Sequence, residues 1–450
     1  MRTTKQLNLF DLTMIVVSLV IGMGIFKTPV KVAASAGVPW IFFAAWIAGG
    51  IVALCGALTF AEIGSRLPVA GGYYKIFSYA YHPSLAFSIN CIILVSNAAS
   101  VAGVALIGAE YIAAVLFPDR PDITAIRLLI AAGSIIVFYG VNLMGLKMSA
   151  RTQNVLTIIK IGLVLLLISA LFLADPVSGG TATNTTNVAA HNGWLPMIKA
   201  FGICLIAVSF TYGGYQQTIN FGGDVKNPAS VMPKGIFLGL AIIIGLYLLI
   251  NITYVHIIGF QNLGSAESIA AILAGQLFGE QGFTVLSVLL FLSVLAYVNV
   301  LLMSNPRVIF AMSEDGVLPG FFQKKNGKTQ VVITALSVFA ALCIVTLFYA
   351  QTFDKILNYT IFIDSIGMAT SAATIFVLRI RKEGEGNSQV YRMGWYPLQP
   401  LLFIAAYLFV AVSIFLDDPM AAVNGLGIFL FFLLLFFIMK RTGWKGSKNI

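Results

Sequence analysis

Continuous apolar runs of about 20 residues or more recur along the 450-residue chain. A membrane-spanning helix needs about 20 consecutive apolar residues, whereas barrel strands are short and alternate in polarity. The runs lie at residues 10–34, 38–61, 85–117, 124–145, 152–174, 196–221, 234–259, 283–312, 330–350, 356–378, 397–416 and 421–439. Only 10% of the residues are charged, against about a quarter in soluble domains. We therefore predict one all-α polytopic membrane domain with 12 transmembrane helices.

The distribution of lysine and arginine predicts the orientation of these helices. With the N-terminus inside, 20 of the 27 lysines and arginines fall on the cytoplasmic side and 6 on the outer side, while Lys160 lies within a span. Cytoplasmic loops are enriched in such residues. We predict cytoplasmic N- and C-termini and a bacterial cytoplasmic membrane. The net charge of +10 then reflects topology. The lipid bilayer is an expected partner, and no nucleic-acid partner is expected. The stretch 66–83 is predicted to form a short interfacial or re-entrant helix.

Glycine pairs interrupt the first and sixth runs near mid-depth. Gly22 and Gly24 flank Met23, and Gly213 adjoins Gly214. Such glycines are compatible with close helix packing. Two clusters in runs of opposite direction favour a different interpretation, a binding site between paired discontinuous helices. Unpaired backbone at that depth must line a cavity or be buried in protein.

The residues at these interruptions resemble motifs of a known family. "IGMGIF" and "FTYGGY" are similar to motifs of spans one and six in the amino acid–polyamine–organocation (APC) superfamily, in its L-type amino acid transporter branch. "RLPVAGGYY", "DVKNPASVMPKGI" and "NPRVIFAMSEDGVLP" extend the resemblance. It implies a leucine-transporter-like fold with broken helices 1 and 6. Residues 10–175 and 194–383 would form 5+5 inverted repeats, and residues 396–440 would form accessory helices 11 and 12.

The resemblance also implies a substrate amino acid bound between the broken helices. The substrate-binding residues it implies are Leu19, Val20, Gly22, Met23, Gly24, Phe210, Tyr212, Gly213 and Gln216. Backbone N–H groups at residues 22–24 would receive the carboxylate, and carbonyls of Leu19, Val20 and Phe210 the ammonium, as helix dipoles favour. Phe210 would be the aromatic gate. Met23 departs from the family's serine or threonine. With Phe210, Tyr212 and Tyr215 it favours a neutral substrate side chain.

Ionisable residues inside the apolar runs are further candidates. A lysine at mid-depth costs about 2.5–3.5 kcal/mol, so Lys160 should face interior carbonyls. A lysine here in the family occupies the region of a sodium site found in relatives, which implies sodium-independent transport. Lys160 is either a coupling residue or a structural tether of span one. Lys27 either attracts anionic substrates or extends to the interface. Asp364 is either a proton carrier or a packed polar residue.

The remaining chemistry-bearing residues favour a transporter over an enzyme. The three histidines are scattered, and no nucleophile–base set or metal-ligand cluster is visible. No cofactor or metal is predicted, and no accessory subunit is implied. The sequence predicts a secondary active amino acid transporter working by alternating access, through sodium-independent exchange or facilitated transport of neutral L-amino acids. The alternative is a proton-coupled amino acid or polyamine symporter.

Overall fold

The structure, a computed structural model, describes residues 6–118, 124–175, 194–266, 268–348, 353–385 and 390–441. Helices account for about 85% of these residues, and two isolated β-bridges join Leu7 to Val225 and Ala70 to Phe221. The helices are α1 (Leu9–Val20), α2 (Gly24–Ala36), α3 (Pro39–Arg66), α4 (Gly72–Ala80), α5 (Pro83–Leu116), α6 (Thr124–Leu143), α7 (Leu146–Ile168), α8 (Ala170–Leu173), α9 (Trp194–Tyr212), α10 (Pro228–Ile258), α11 (Phe260–Leu263), α12 (Ile269–Phe278), α13 (Gly282–Glu314), α14 (Ile333–Phe348), α15 (Phe353–Ile380), α16 (Leu398–Asp417) and α17 (Pro419–Arg441).

The prediction of an all-α polytopic membrane protein is confirmed. Within the described ranges, ten helical segments are long and apolar enough to cross a membrane, and the bent pair α1 and α2 makes eleven. Each of the twelve predicted apolar runs contains a helix, but α14 has only 16 residues. The number of twelve spans therefore stays a prediction.

Helix α1 lies at the centre of the bundle. Every residue from Leu12 to Val20 is buried, so the helix is enclosed on all sides. It packs against α7, α10 and α13. A helix that is apolar all round must be covered by other helices or by lipid, and here helices cover it. The interruption that follows Val20 is therefore buried in protein.

The peripheral helices turn apolar side chains outward. Leu416 of α16 is 71% exposed, and Phe431 and Leu434 of α17 are also exposed. Exposed leucine and phenylalanine on helices of this length match a surface that faces hydrocarbon rather than water.

Glu62 anchors the end of the bundle that is predicted to be cytoplasmic. Its fully buried carboxylate accepts hydrogen bonds from Arg66 Nε (2.8 Å), Arg379 Nη2 (2.7 Å) and the backbone N–H of Met393 (2.9 Å). Three segments that are far apart in sequence, α3, α15 and the chain before α16, therefore meet on one carboxylate.

Further ion pairs lie at the same end and use residues of the family-like motifs. Asp315 accepts from Lys75 Nζ at 2.5 Å, which ties α4 to the end of α13. Arg307 pairs with Asp224 at 2.7 Å and lies over the Phe221 ring. The predicted short helix in the stretch 66–83 is α4, nine residues long and too short to span a membrane.

The chain before α1 is fastened to the chain before α10. The backbone N–H groups of Gln6 and Leu7 donate to the Asp224 carbonyl at 2.9 and 3.1 Å, and the Lys226 N–H donates to the Leu7 carbonyl at 2.9 Å. These bonds connect one end of each of the two segments in which the sequence predicts interruptions.

Candidate functional site

The first predicted interruption is present between α1 and α2. Helix α1 ends at Val20, α2 begins at Gly24, and the two helices bend by 42°. Ile21 is extended, with φ −71° and ψ 90°. A Cβ atom at Gly24 would stand 3.2 Å from the Thr211 side chain, so glycine allows close approach of the two spans.

The second interruption follows α9, which ends at Tyr212. Gly214 has a φ of +112°, and a 3-10 segment, Tyr215–Asn220, continues the chain. A Cβ atom at Gly214 would stand 2.4 Å from the carbonyl oxygen of Leu19. The two interruptions therefore contact each other directly, and glycine is required at this contact.

Carbonyl groups at the end of α1 accept hydrogen bonds from two other helices, α7 and α10, and from the interruption itself. The Val20 carbonyl accepts from the Gly22 N–H (2.8 Å) and from Tyr247 Oη (3.1 Å). The Ile21 carbonyl accepts from Lys160 Nζ at 2.6 Å. A helix C-terminus favours positive charge, and the buried Lys160 ammonium, 1% exposed, supplies it.

The N-terminus of α2 is open to an anion. The first backbone N–H groups of a helix have no intrahelical acceptor, and Met23, the N-cap residue, makes no side-chain cap hydrogen bond. The Gly22 N–H already donates a hydrogen bond to the Val20 carbonyl. The N–H groups at the start of α2 are therefore better placed than that of Gly22 to bind a carboxylate.

A cavity of about 330 Å³ lies beside both interruptions. This volume is at the lower end of the roughly 300–1,000 Å³ typical of small-molecule sites. Eight of the nine predicted substrate-binding residues line it: Leu19, Val20, Gly22, Met23, Gly24, Phe210, Gly213 and Gln216. Phe210 is 50% exposed and Met23 is 8% exposed, so the phenyl ring contributes more to the open wall than the thioether does.

Tyr212 does not line the cavity. Its ring packs against Trp46 (centroids 5.9 Å apart) and Tyr247 (5.2 Å), on the far side of α9. Tyr215 is likewise buried, 6.2 Å from the Phe60 ring centroid. Both tyrosines support the wall from behind, and their predicted influence on a substrate would be indirect.

Amide side chains form a polar cluster along the cavity. Asn97 of α5 donates to Asn305 Oδ1 at 2.7 Å and pairs with the Gln217 amide at 3.3 Å. Gln216 Oε1 accepts the Gly214 N–H at 2.9 Å, which stabilises the second interruption. Asn97 and both glutamines are lining residues.

Several lining residues have no distinguishing signal in the sequence. The Tyr297 ring of α13 lies 3.9 Å from the position that a Cβ atom of Gly22 would take, and its hydroxyl is 2.9 Å from Ser100 Oγ. Thr211 donates to Thr28 at 2.9 Å across the two broken spans. Hydroxyls are common in apolar helices, so these residues are identified by position alone.

Asp364 of α15 also lines the cavity, together with Tyr73 of α4 and Tyr407 of α16. The Tyr73 hydroxyl donates to Met368 Sδ at 3.9 Å, four residues beyond Asp364 on the same helix. Lys27 lines the cavity as well and is exposed.

Comparison with known proteins identifies similarity over almost the whole chain. The family model "Amino acid permease" matches residues 7–439. The serine/threonine exchanger SteT of Bacillus subtilis is 28% identical, over 97% of this chain and 97% of its own. The human large neutral amino acids transporter small subunit 2 is 27% identical, over 95% of this chain and 78% of its own. The methylthioribose transporter of B. subtilis is 26% identical, over 88% and 86%.

Proposed function

Because the chain belongs to the amino acid permease family, we propose that it carries neutral L-amino acids across the cytoplasmic membrane as a secondary active transporter. The proposed mode of transport is sodium-independent exchange or facilitated transport, and in either case it proceeds by alternating access. The observation that carries this proposal is the meeting of two interrupted spans, Leu9–Ala36 and Trp194–Asn220, at one cavity. The names of two relatives, a serine/threonine exchanger and a large neutral amino acids transporter, support the substrate class.

The substrate carboxylate would bind at the N-terminus of α2, at the backbone of Met23 and Gly24. That terminus is uncapped by any side chain and faces the cavity. The ammonium would bind at the carbonyls of Leu19 and Phe210, the ends of α1 and α9. The Val20 carbonyl already has two donors, so it would contribute less than the resemblance implies.

Alternating access would use the inverted-repeat organisation that the family resemblance implies. Residues 10–175 and 194–383 would be the repeats and 396–440 the accessory helices, with both termini cytoplasmic. The ion pairs of Glu62, Asp315 and Asp224 would hold the cytoplasmic end closed while the cavity is loaded.

Lys160 supports sodium independence. Its ammonium lies 2.6 Å from the Ile21 carbonyl and 3.4 Å from Ser18 Oγ. A sodium ion at this place would need the same oxygens as ligands. In the alternative of proton coupling, Lys160 and Asp364 would be the candidate side chains that bind and release the proton.

Counterflow in proteoliposomes tests the proposal. Vesicles are preloaded with one unlabelled neutral amino acid, and uptake of a labelled one is followed in sodium or choline buffer, first at equal pH on both sides and then with an inward proton gradient. We expect accelerated uptake that does not depend on sodium. Uptake that needs an inward proton gradient would favour the symport alternative. Absence of transport of every amino acid, with uptake of labelled methylthioribose, would refute the proposal.

A further inference from the structure

One face of α15 forms a wall of the cavity. Ile361, Asp364, Ser365 and Met368 all line it, at the spacing of residues that share one side of a helix. Ser365 Oγ donates to the Ile361 carbonyl at 2.9 Å, so its hydroxyl is already bonded within the helix. Among these four residues, Asp364 therefore carries the polar group that a ligand can reach.

The Asp364 carboxylate makes no ion pair with any residue whose side chain the structure describes. Charge in an apolar interior is costly unless it is paired or hydrogen-bonded, and ionisable residues at membrane depth commonly mark a ligand pathway. Tyr73 and Tyr407 line the same cavity, and the Tyr73 hydroxyl donates to Met368 Sδ at 3.9 Å.

Asp364 lies on a different helix from the groups that would bind a main chain. Those groups belong to α1, α2 and α9, whereas Asp364 lies on α15, and Tyr73 and Tyr407 lie on α4 and α16. Ile92, Ile93 and Val410, which also line the cavity, are apolar and offer no hydrogen bond. A molecule held at the interruptions by its carboxylate and ammonium leaves its side chain to contact the other walls of the cavity, and the α15 wall with Asp364 is one of them.

We propose that Asp364 is a specificity-determining residue that accepts a hydrogen bond from a substrate side chain ending in a donor group. The class comprises side chains that end in a hydroxyl, an amide or an ammonium group. This inference rests on the proposed function, because it requires an amino acid at the interruptions. In the contrasting case Asp364 is only a packed polar residue and does not influence selectivity.

Near-isosteric substrate pairs test the inference directly. Threonine and valine differ in a hydroxyl, asparagine and leucine in an amide, and ornithine and norleucine in an ammonium group. Counterflow rates and affinities from thermal shift in detergent are measured for each pair. We expect the wild-type chain to prefer the donor member of at least one pair. Asp364→Ala should reduce that preference about tenfold or more, which is the effect of losing one hydrogen bond to a charged group.

The apolar member of each pair reports on folding. Valine or norleucine should bind Asp364→Ala about as well as wild type, which shows that the variant retains its site. Asp417→Ala makes the same change at an exposed aspartate at the end of α16 and should leave every ratio unchanged.

The outcomes are distinguishable. If wild type transports and binds the donor and apolar members of every pair equally well, the inference is overturned. An unchanged preference for the donor member in Asp364→Ala also overturns it. A preference confined to ornithine supports the subsite and corrects the substrate class to a cationic one. Wild-type chain that neither binds nor exchanges any amino acid refutes the proposed function itself.

Discussion

The side-chain nitrogen of Lys160 lies 2.6 Å from the carbonyl oxygen of Ile21, the residue at which α1 gives way to the interruption. The same ammonium is 3.5 Å from the Ser18 carbonyl, one turn earlier. A charged donor from α7 therefore holds the free end of α1. This relationship gives the first of four predictions.

Replacing Lys160 should impair transport. Lys160→Met keeps most of the volume but removes the donor to Ile21, so we expect the exchange rate to fall about tenfold or more, since hydrogen bonds to charged groups contribute about 1.5–3 kcal/mol. Lys147→Met, an exposed lysine at the start of the same helix, should have little effect. Counterflow rates normalised to reconstituted protein measure both. Unchanged rate and affinity in Lys160→Met would exclude both a coupling and a tethering role.

Gly214→Ala should disrupt the contact between the two interruptions. The φ of +112° costs an L-residue roughly 1–3 kcal/mol, and the added Cβ would stand 2.4 Å from the Leu19 carbonyl oxygen. We expect loss of measurable amino acid binding in thermal-shift titration. Gly245→Ala in α10, where an added Cβ meets nothing within 4 Å, serves as the control and should bind normally. Normal binding by Gly214→Ala would show that the contact is not needed.

Tyr247→Phe should weaken substrate binding. The hydroxyl donates to the Val20 carbonyl at 3.1 Å and is 3.5 Å from the Thr211 carbonyl, so it connects the ends of α1 and α9. Its loss should cost about 0.5–1.5 kcal/mol, which is roughly a two- to tenfold increase in Kd.

The matched control for that variant is Tyr254→Phe on the same helix. Tyr254 is also buried, but its hydroxyl has no hydrogen-bond partner in the part of the chain that the structure describes. Its removal should leave Kd unchanged. Equal effects of the two substitutions on Kd would mean that helix packing, not the bond to Val20, explains the result.

Glu62→Gln should lower stability. It removes the charge that two arginines share, and breaking a buried ion pair costs about 3–5 kcal/mol. Glu110 pairs with Arg127 at 3.4 Å on an exposed surface, where a pair contributes about 1 kcal/mol or less. Apparent Tm in detergent should therefore fall clearly for Glu62→Gln and slightly for Glu110→Gln. Similar shifts for the two variants would contradict the anchoring role of Glu62.

Much of the architecture could be predicted because membrane helices leave long, local signals. The apolar runs marked the helices, and Gly22 and Gly24 marked the interruption after α1. A lysine at mid-depth must face polar groups inside the protein, and Lys160 lies among the carbonyls at the end of α1. Each of these inferences depends on composition over a few turns of one helix.

Which side chains form the cavity wall could not be predicted from local sequence patterns. Tyr212 lies two residues from Phe210, yet its ring packs against Trp46 and Tyr247 because neighbouring positions on a helix point in different directions. Tyr247 bonds to Val20 across 227 positions, and no local feature of α10 indicates that contact. Which face of α15 meets the cavity depends likewise on the packing of α4, α5 and α16 around it.

The backbone bonds between residues 6–7 and 224–226 have a mechanical consequence. They fasten the start of α1 to the chain that leaves the second interruption, and the Gly214 contact with Leu19 joins the same two segments one helix length away. Two attachments at opposite ends prevent one segment from pivoting on the other. If α1 or residues 215–226 tilted alone, the backbone bonds at one end or the contact at the other would have to break, so the two attachments couple the movement of these segments.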